Sequence, residues 1–138
     1  MTLFDTSVII DARDANSPWN SWAKERIADA VAGDGAGANT IVISEASVRA
    51  FSPEAVPSLL EGFGMTLLPL PVSAAVPAAK AFMLYLDRLK KEGKNSDRKT
   101  PLPDFLIGAH AQCEHLQLVT RDPDRIRTYF PSVRLITP

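Results

Sequence analysis

Short apolar runs alternate with longer amphipathic stretches along most of the chain. Rich in β-branched and bulky residues, the short runs predict strands at residues 2–4, 40–43, 65–68, 117–120 and 133–136. Strands that alternate with helices favour a parallel sheet that is covered on both faces. We therefore predict an α/β fold, a three-layer α/β/α sandwich with a central, mostly parallel sheet of four to five strands.

The stretches between these runs repeat apolar residues every three or four positions, the spacing of helices that bury one face. Ser17-Pro18 is a strong helix start, and residues 33–37 are interpreted as a turn because they follow a helix and precede a strand. Residues 90–103 are basic and predict a loop. The helices are predicted at residues 6–13, 18–32, 44–51, 53–63, 73–91, 103–114 and 123–129.

Composition narrows the class of protein. With 138 residues, of which 46% are hydrophobic and 22% charged, the chain predicts one globular domain, residues 1–138. Its formal net charge of -1 gives no global attraction to nucleic acid, so local basic groups or metal ions would have to supply one. A single cysteine, Cys113, and the lack of an apolar run of about 18 residues predict a cytoplasmic protein without a membrane span.

Acidic residues occupy the points where predicted strands end. Asp5, Glu45 and Asp122 each follow a predicted strand, and Asp104 begins a predicted helix. Because the carboxyl ends of parallel strands meet at one edge of a sheet, the four can lie close together. Asp5 alone would be interpreted as a helix cap. A cap, however, does not explain the other three acids.

Four carboxylates at one edge require a compensating charge. Two of them about 4 Å apart repel by about 4 kcal/mol at an effective dielectric constant of 20. Protonation or a divalent cation relieves this repulsion, and donors that are all oxygen suit Mg²⁺ or Mn²⁺ rather than zinc. Mg²⁺ commonly completes its shell with water and substrate phosphates, so the pattern indicates phosphodiester chemistry.

Several separated segments carry a pattern that resembles a known family. They are FDTSVIID at residues 4–11, ISE at 43–45, PDFLIGA at 103–109, LVTRD at 118–122 and RTYFP at 127–131. In their order and placement at strand ends they resemble the PIN domain, and within it the VapC-type ribonuclease toxins of bacterial toxin-antitoxin pairs. The resemblance spans nearly the whole chain.

The resemblance implies a set of site residues. The metal-binding and catalytic acids would be Asp5, Glu45, Asp104 and Asp122. Hydroxyl groups beside them, which orient the acids or a water, would be those of Thr6, Ser7 and Thr120. Many relatives have Asn at the fourth position and Asp three residues later, where this chain has Asp122 and Arg125. Either Asp122 or Asp124 can therefore be the fourth acid.

By the same resemblance, the protein would be a Mg²⁺-dependent endoribonuclease for single-stranded RNA or RNA loops. It would be inhibited by a small antitoxin and would form a homodimer. In this chemistry the bound ion lowers the pKa of a water that attacks phosphorus. Candidates for contact with the RNA backbone, each alternatively an ordinary surface charge, are Lys94, Arg98, Lys99, Arg121 and Arg125.

Two other classes of protein remain open. A phosphatase of the haloacid-dehalogenase type or a receiver domain also gathers Asp residues around Mg²⁺, but that phosphatase needs a second acid where this chain has Ser7. A PIN-like fold that only binds RNA or protein is the other class, and the four intact acids argue against it.

Two remaining interpretations concern a possible zinc site and the position of Asp11. His110, Cys113 and His115 do not have the spacing of a zinc site, and Cys113 is expected in the core. Asp11 lies beyond Asp5 by about one and a half helical turns and is expected at the surface.

Overall fold

Among residues 1–94 and 102–138, which the computed structural model describes, five parallel strands form a central sheet. They are arranged in the order β3-β2-β1-β4-β5, and each pairing between neighbours is parallel. β1 thus lies in the middle, between β2 and β4. The strands are β1 (Thr2–Phe4), β2 (Ala36–Asn39), β3 (Met65–Leu68), β4 (Gln117–Val119) and β5 (Leu135–Ile136).

Helices flank this sheet, which confirms the predicted α/β/α fold. Short 3-10 turns at Pro53–Ala55 and Val72–Ala74 precede the fourth and fifth helices. In the described ranges, no helix has the length and apolar character that crossing a membrane requires. The helices are α1 (Thr6–Arg13), α2 (Asn20–Ala32), α3 (Thr40–Val48), α4 (Val56–Gly62), α5 (Ala75–Lys91), α6 (Leu102–Cys113) and α7 (Asp124–Tyr129).

The connection from β1 to α1 sets the position of Asp5. Leu3 and Phe4 in β1 are fully buried, as apolar side chains of a central parallel strand should be. Asp5 then leaves the sheet with extended backbone angles and caps α1, its side chain accepting the N–H of Thr6. The apolar positions of α1 pack into the core, with Val8 fully buried. This geometry holds Asp5 at the carboxyl edge of the sheet.

The prediction of a strand at residues 40–43 is wrong. Those β-branched residues begin α3, and the strand is Ala36–Asn39. Asn39 explains the difference, because its side chain caps α3 by accepting the N–H of Val42 at 3.0 Å. β2 is also closely packed: a Cβ on Gly37 would lie 2.7 Å from Leu68 Cδ1, so that side chain would have to move. A helix cap and close packing therefore override β propensity here.

Aromatic packing fixes the start of α6, where Asp104 lies. Phe105 is fully buried, with its ring centroid 5.2 Å from that of Tyr129 and 6.2 Å from that of Phe130. Gly108 permits this approach, since a Cβ there would come within 2.5 Å of the Phe130 ring. The predicted loop at residues 90–103 is too long at both ends, because Lys90 and Lys91 belong to α5 and Leu102 and Pro103 to α6. Residues 95–101 lie outside the described part of the chain.

Candidate active site

A cavity of about 480 Å³ opens at the carboxyl ends of β1 and β4. Its walls include the four acids predicted from the sequence, Asp5, Glu45, Asp104 and Asp122. They also include the three predicted hydroxyl residues, Thr6, Ser7 and Thr120. Three basic side chains line it as well, those of Arg49, Arg121 and Arg125. Acids that are far apart in the sequence thus share one cavity.

Asp5 is the most tightly held of the acids. Its Oδ1 accepts the Thr6 N–H at 2.8 Å, and its Oδ2 accepts the hydroxyls of Ser7 at 2.9 Å and Thr120 at 2.8 Å. Burial raises the pKa of Asp5, these hydrogen bonds oppose the rise, and the charge of Asp122 adds to it. Asp5 is therefore both the cap of α1 and a carboxylate fixed at the cavity wall.

Asp104 faces the cavity from the first turn of α6. Burial raises its pKa to about 6, and the charges of Asp5 and Glu45 add to this while Arg125 opposes it. Arg125 Nη1 donates a hydrogen bond to Asp104 Oδ2, and the same guanidinium lies 5.6 Å from the ring centroid of Tyr85. Asp104 thus interacts electrostatically with two other acids of the cavity and forms an ion pair with an arginine.

Glu45 reaches the cavity from the second turn of α3. The expectation that it directly follows a strand is wrong, because the strand ends at Asn39. Glu45 Oε1 accepts the hydroxyl of Thr6 at 2.6 Å. Since the N–H of Thr6 donates to Asp5, this one residue connects two of the acids.

The two candidates for the fourth acid differ in position. Asp122 is exposed at the cavity wall, and its N–H donates to Thr120 Oγ1 at 3.1 Å. The side chain of Asp124 is fully exposed, and its nearest charged partner is Arg127 at 3.9 Å. The structure therefore brings Asp122 into the cavity, while Asp124 begins α7 outside it.

Comparison with known proteins assigns the chain to a family. The model of the PIN domain matches residues 2–131. The chain belongs to the PIN domain family. No curated protein matches it in sequence.

Solved structures share the fold of this PIN domain at low sequence identity. DNA-bound VapBC2 from Rickettsia felis is 15% identical with a TM-score of 0.64, over 99% of this chain and 98% of that one. DNA-bound VapBC from Salmonella typhimurium is 18% identical with a TM-score of 0.64, over 99% and 98%. VapC20 from Mycobacterium tuberculosis, a Sarcin-Ricin loop cleaving toxin, is 14% identical with a TM-score of 0.65, over 97% and 99%. These likenesses confirm the predicted fold.

The donors in this PIN domain suit a hard divalent cation. They are carboxylate and hydroxyl oxygens, and the acids raise the pKa values of their neighbours, a repulsion that a cation would relieve. In residues 1–94 and 102–138, however, no three His, Cys, Asp or Glu side chains form a ready metal cluster. Asp104 is paired with Arg125, and Glu45 with Thr6. The donor chemistry fits Mg²⁺ or Mn²⁺, and a bound ion would compete with Arg125 for the charge of Asp104.

The zinc alternative gains no support. His110 is buried and is hydrogen-bonded to Asn39 Nδ2 at 3.0 Å and to Glu114 at 3.1 Å. Cys113 is half-buried rather than in the core, and its thiol donates to the carbonyl of Ser73. These groups stabilise the packing of α6.

Basic residues of the cavity differ in part from those predicted. Arg121 and Arg125 line it, whereas Lys94 lies in a separate pocket between α5 and α7 and pairs with Glu92 at 3.4 Å. The predicted contacts Arg98 and Lys99 lie outside the described residues. Arg49 was not predicted. It follows Glu45 by one helical turn in the helix predicted at residues 44–51, so the spacing of these two residues could have indicated it.

The expectation that Asp11 is exposed is also wrong. Only 4% of its surface is accessible. After α1 the chain turns back, so that Ser17 Oγ donates to Asp11 Oδ1 at 2.8 Å, and Arg121 Nη1 approaches the same oxygen at 3.4 Å. The loop after α1 buries Asp11, and the spacing of apolar residues within a helix cannot reveal such a contact.

Proposed function

We propose that this PIN domain is a metal-dependent endoribonuclease, the toxin of a toxin-antitoxin pair. The observation that carries the proposal is the convergence of Asp5, Glu45, Asp104 and Asp122 on one cavity. Asp5 and Glu45 accept hydrogen bonds from neighbouring hydroxyls, and Asp104 is paired with Arg125. Phosphodiester hydrolysis needs such a concentration of oxygen donors, whereas binding RNA alone would be weakened by it.

Asp5, Asp104 and Asp122 would hold the cation, with Glu45 as a further donor. When bound, Mg²⁺ or Mn²⁺ supplies positive charge that stabilises the transition state and lowers the pKa of a water. Ser7 and Thr120 keep the Asp5 carboxylate in one orientation, and this preorganisation avoids rearrangement during the reaction. Thr6 does the same for Glu45.

Single-stranded RNA or an RNA loop is the substrate that we infer. Three arginines line the cavity and can neutralise backbone phosphates in a protein whose net charge is only -1. VapC20, which shares the fold, is a Sarcin-Ricin loop cleaving toxin. Lys94, Arg98 and Lys99 are proposed to extend this contact beyond the cavity.

We further propose a small antitoxin as a partner, because several proteins of the same fold are toxin-antitoxin complexes, among them one from Klebsiella pneumoniae with 20% identity and a TM-score of 0.60. The homodimer, the cytoplasmic location and a single domain over residues 1–138 are parts of the same proposal. The dimer rests on the family resemblance alone.

Cleavage of a labelled single-stranded RNA by the purified protein tests the function. We expect cleavage with Mg²⁺ or Mn²⁺ and none with EDTA. Equal cleavage in EDTA would refute the role of the metal. A receiver or phosphatase would instead accept phosphate from a small donor, and mass spectrometry would then detect a phosphoryl adduct on an aspartate. RNA binding without cleavage in any divalent ion would favour the inactive binding module.

A further inference from the structure

One buried carboxylate beside the cavity has no part in the proposed chemistry. Asp11 lies near the end of α1, almost inaccessible to solvent, and is not among the described residues that line the cavity. Its Oδ1 accepts hydrogen bonds from Ser17 and Arg121, while its Oδ2 has no hydrogen-bond partner within the described ranges. A buried carboxylate is costly unless a cation balances it. Arg121 is the cation in contact with it.

Arg121 connects this buried charge to the cavity. Its side chain is about one third exposed and lines the cavity wall. A guanidinium carries five N–H donors in a rigid plane, and one nitrogen approaching Asp11 leaves several for another anion. The backbone N–H of Arg121 also donates to Ser7 Oγ at 3.5 Å. The backbone of this residue is thus bonded to a residue of the cavity, and its guanidinium to Asp11 outside the cavity.

We propose that Asp11 is a positioning residue that holds the Arg121 guanidinium at the cavity wall, where Arg121 binds a phosphate of the RNA. The inference rests on the proposed function. A long arginine side chain loses rotamer freedom when it binds, and an ion pair already made in the unbound protein reduces that cost. Arg49 has no comparable anchor among its described contacts, and Arg125 is paired with an acid of the cavity itself.

For one substitution, the proposal and simple electrostatics predict opposite changes in RNA affinity. Replacing Asp11 with Asn removes a negative charge near the cavity, which on charge alone should tighten RNA binding. If Asp11 acts by holding Arg121, the same substitution should weaken binding. Asp14→Asn is the matched control: Asp14 lies three residues further on, is exposed and contacts Asn16, so its loss changes the charge without touching Arg121.

A double-mutant cycle on RNA affinity provides the test. The affinity of the full chain for a short labelled single-stranded RNA is measured at fixed salt with Ca²⁺ in place of Mg²⁺, and the RNA is checked for integrity afterwards. We expect Arg121→Ala and Asp11→Asn each to weaken binding by about tenfold, the scale of a hydrogen bond to a charged group. The double variant should bind no more weakly than Arg121→Ala. Asp14→Asn should bind as the unchanged protein or slightly more tightly.

Three outcomes would overturn the inference. They are an additive double variant, an Asp11→Asn variant with unchanged or tighter binding, and an Arg121→Ala variant that binds normally. If Asp11→Asn does not fold, Asp11→Glu is measured in its place. It keeps the charge but moves the carboxylate by one methylene, so RNA affinity should fall if Asp11 sets the position of the Arg121 guanidinium and stay unchanged if charge alone matters.

Failure of the inference can be distinguished from failure of the proposed function. If the unchanged protein neither binds nor cleaves RNA, the function itself is wrong. If it binds and cleaves RNA but the cycle is additive, only the role of Asp11 is wrong. Melting temperatures of all variants separate loss of folding from loss of affinity.

Discussion

Two arginine-aspartate pairs flank the cavity, and they differ in where the aspartate lies. In the pair of Arg125 and Asp104, both side chains are partly exposed and both line the cavity. In the pair of Arg121 and Asp11, the aspartate is buried outside the cavity and only the arginine reaches its wall. The first pair neutralises a carboxylate that is needed as a donor. The second places a cation at the site without using one of its acids.

Because of this difference, we expect the two arginines to respond in opposite ways when a divalent cation binds. Arg125 competes with any divalent cation for the charge of Asp104, so binding of the ion should weaken or open the ion pair. Arg121 has no such conflict, because its aspartate is not a candidate ligand. We expect the pair at Asp104 to be exchanged during function and the pair at Asp11 to persist.

The largest expected effect separates the two aspartates. Asp104→Asn should lower RNA cleavage by at least about a hundredfold, because a metal-supporting carboxylate is lost and metal ions contribute several kcal/mol to transition-state stabilisation. Asp11→Asn should act mainly by raising KM, since it weakens substrate binding. Steady-state kinetics with Mg²⁺ measure both. The comparison fails if Asp11→Asn lowers kcat as severely as Asp104→Asn.

Next in size is the effect of removing Arg125 on metal affinity. Arg125→Ala should tighten Mn²⁺ binding by about tenfold, because Asp104 no longer shares its charge with an internal cation. Calorimetry or electron paramagnetic resonance of Mn²⁺ gives the affinity without relying on catalysis. Arg127→Ala is the control, since Arg127 lies on the same helix but faces Asp124 outside the cavity. Unchanged or weaker Mn²⁺ binding by Arg125→Ala would show that the pair does not oppose the ion.

Metal affinity should also depend on pH through Asp104, whose pKa is raised to about 6. An ion binds the deprotonated carboxylate, so Mn²⁺ affinity should fall by about tenfold as the pH is lowered from about 7 to about 5. In the absence of metal, the stability of the fold should depend on pH in the opposite direction to metal affinity. A carboxyl with a raised pKa in the folded state favours folding in its protonated form, and this contribution is lost as the pH rises through about 6.

Asp104→Asn provides the check on that assignment. In this variant, the part of the pH dependence of unfolding that lies between about pH 4 and about pH 6 should become flatter, as followed by denaturant titration. If the slope is the same in both proteins, another group is responsible for it.

The parts of this site that could be predicted from the sequence are those that depend on local structure. β1 and β4 are apolar runs, so Asp5 and Asp122 could be located at their ends. Glu45 was predicted to lie near the other acids, and it does, but the strand predicted just before it is the first part of α3. β-branched side chains at residues 40–43 indicated a strand, while the decisive signal was the capping side chain of Asn39 before them.

Both ion pairs, by contrast, join residues that are far apart in the chain. Arg125 and Asp104 are separated by 21 positions and Arg121 and Asp11 by 110. No local periodicity encodes such a contact. The burial of Asp11 has the same origin, because it depends on a loop that folds back after α1 and on a residue that follows β4. Tertiary packing therefore determines which acid faces the cavity and which supports an arginine.

The smallest expected effect concerns the neutral group that supports Asp11. Ser17 Oγ donates to Asp11 Oδ1 and accepts the N–H of Trp19 at 3.1 Å. Ser17→Ala should cost about 1 kcal/mol of unfolding free energy and weaken RNA binding by no more than about twofold, because the ion pair with Arg121 remains. Denaturant titration and the RNA affinity assay measure the two effects. A loss of affinity as large as that of Asp11→Asn would mean that the hydrogen bond, rather than the charge of Asp11, holds the arginine in place.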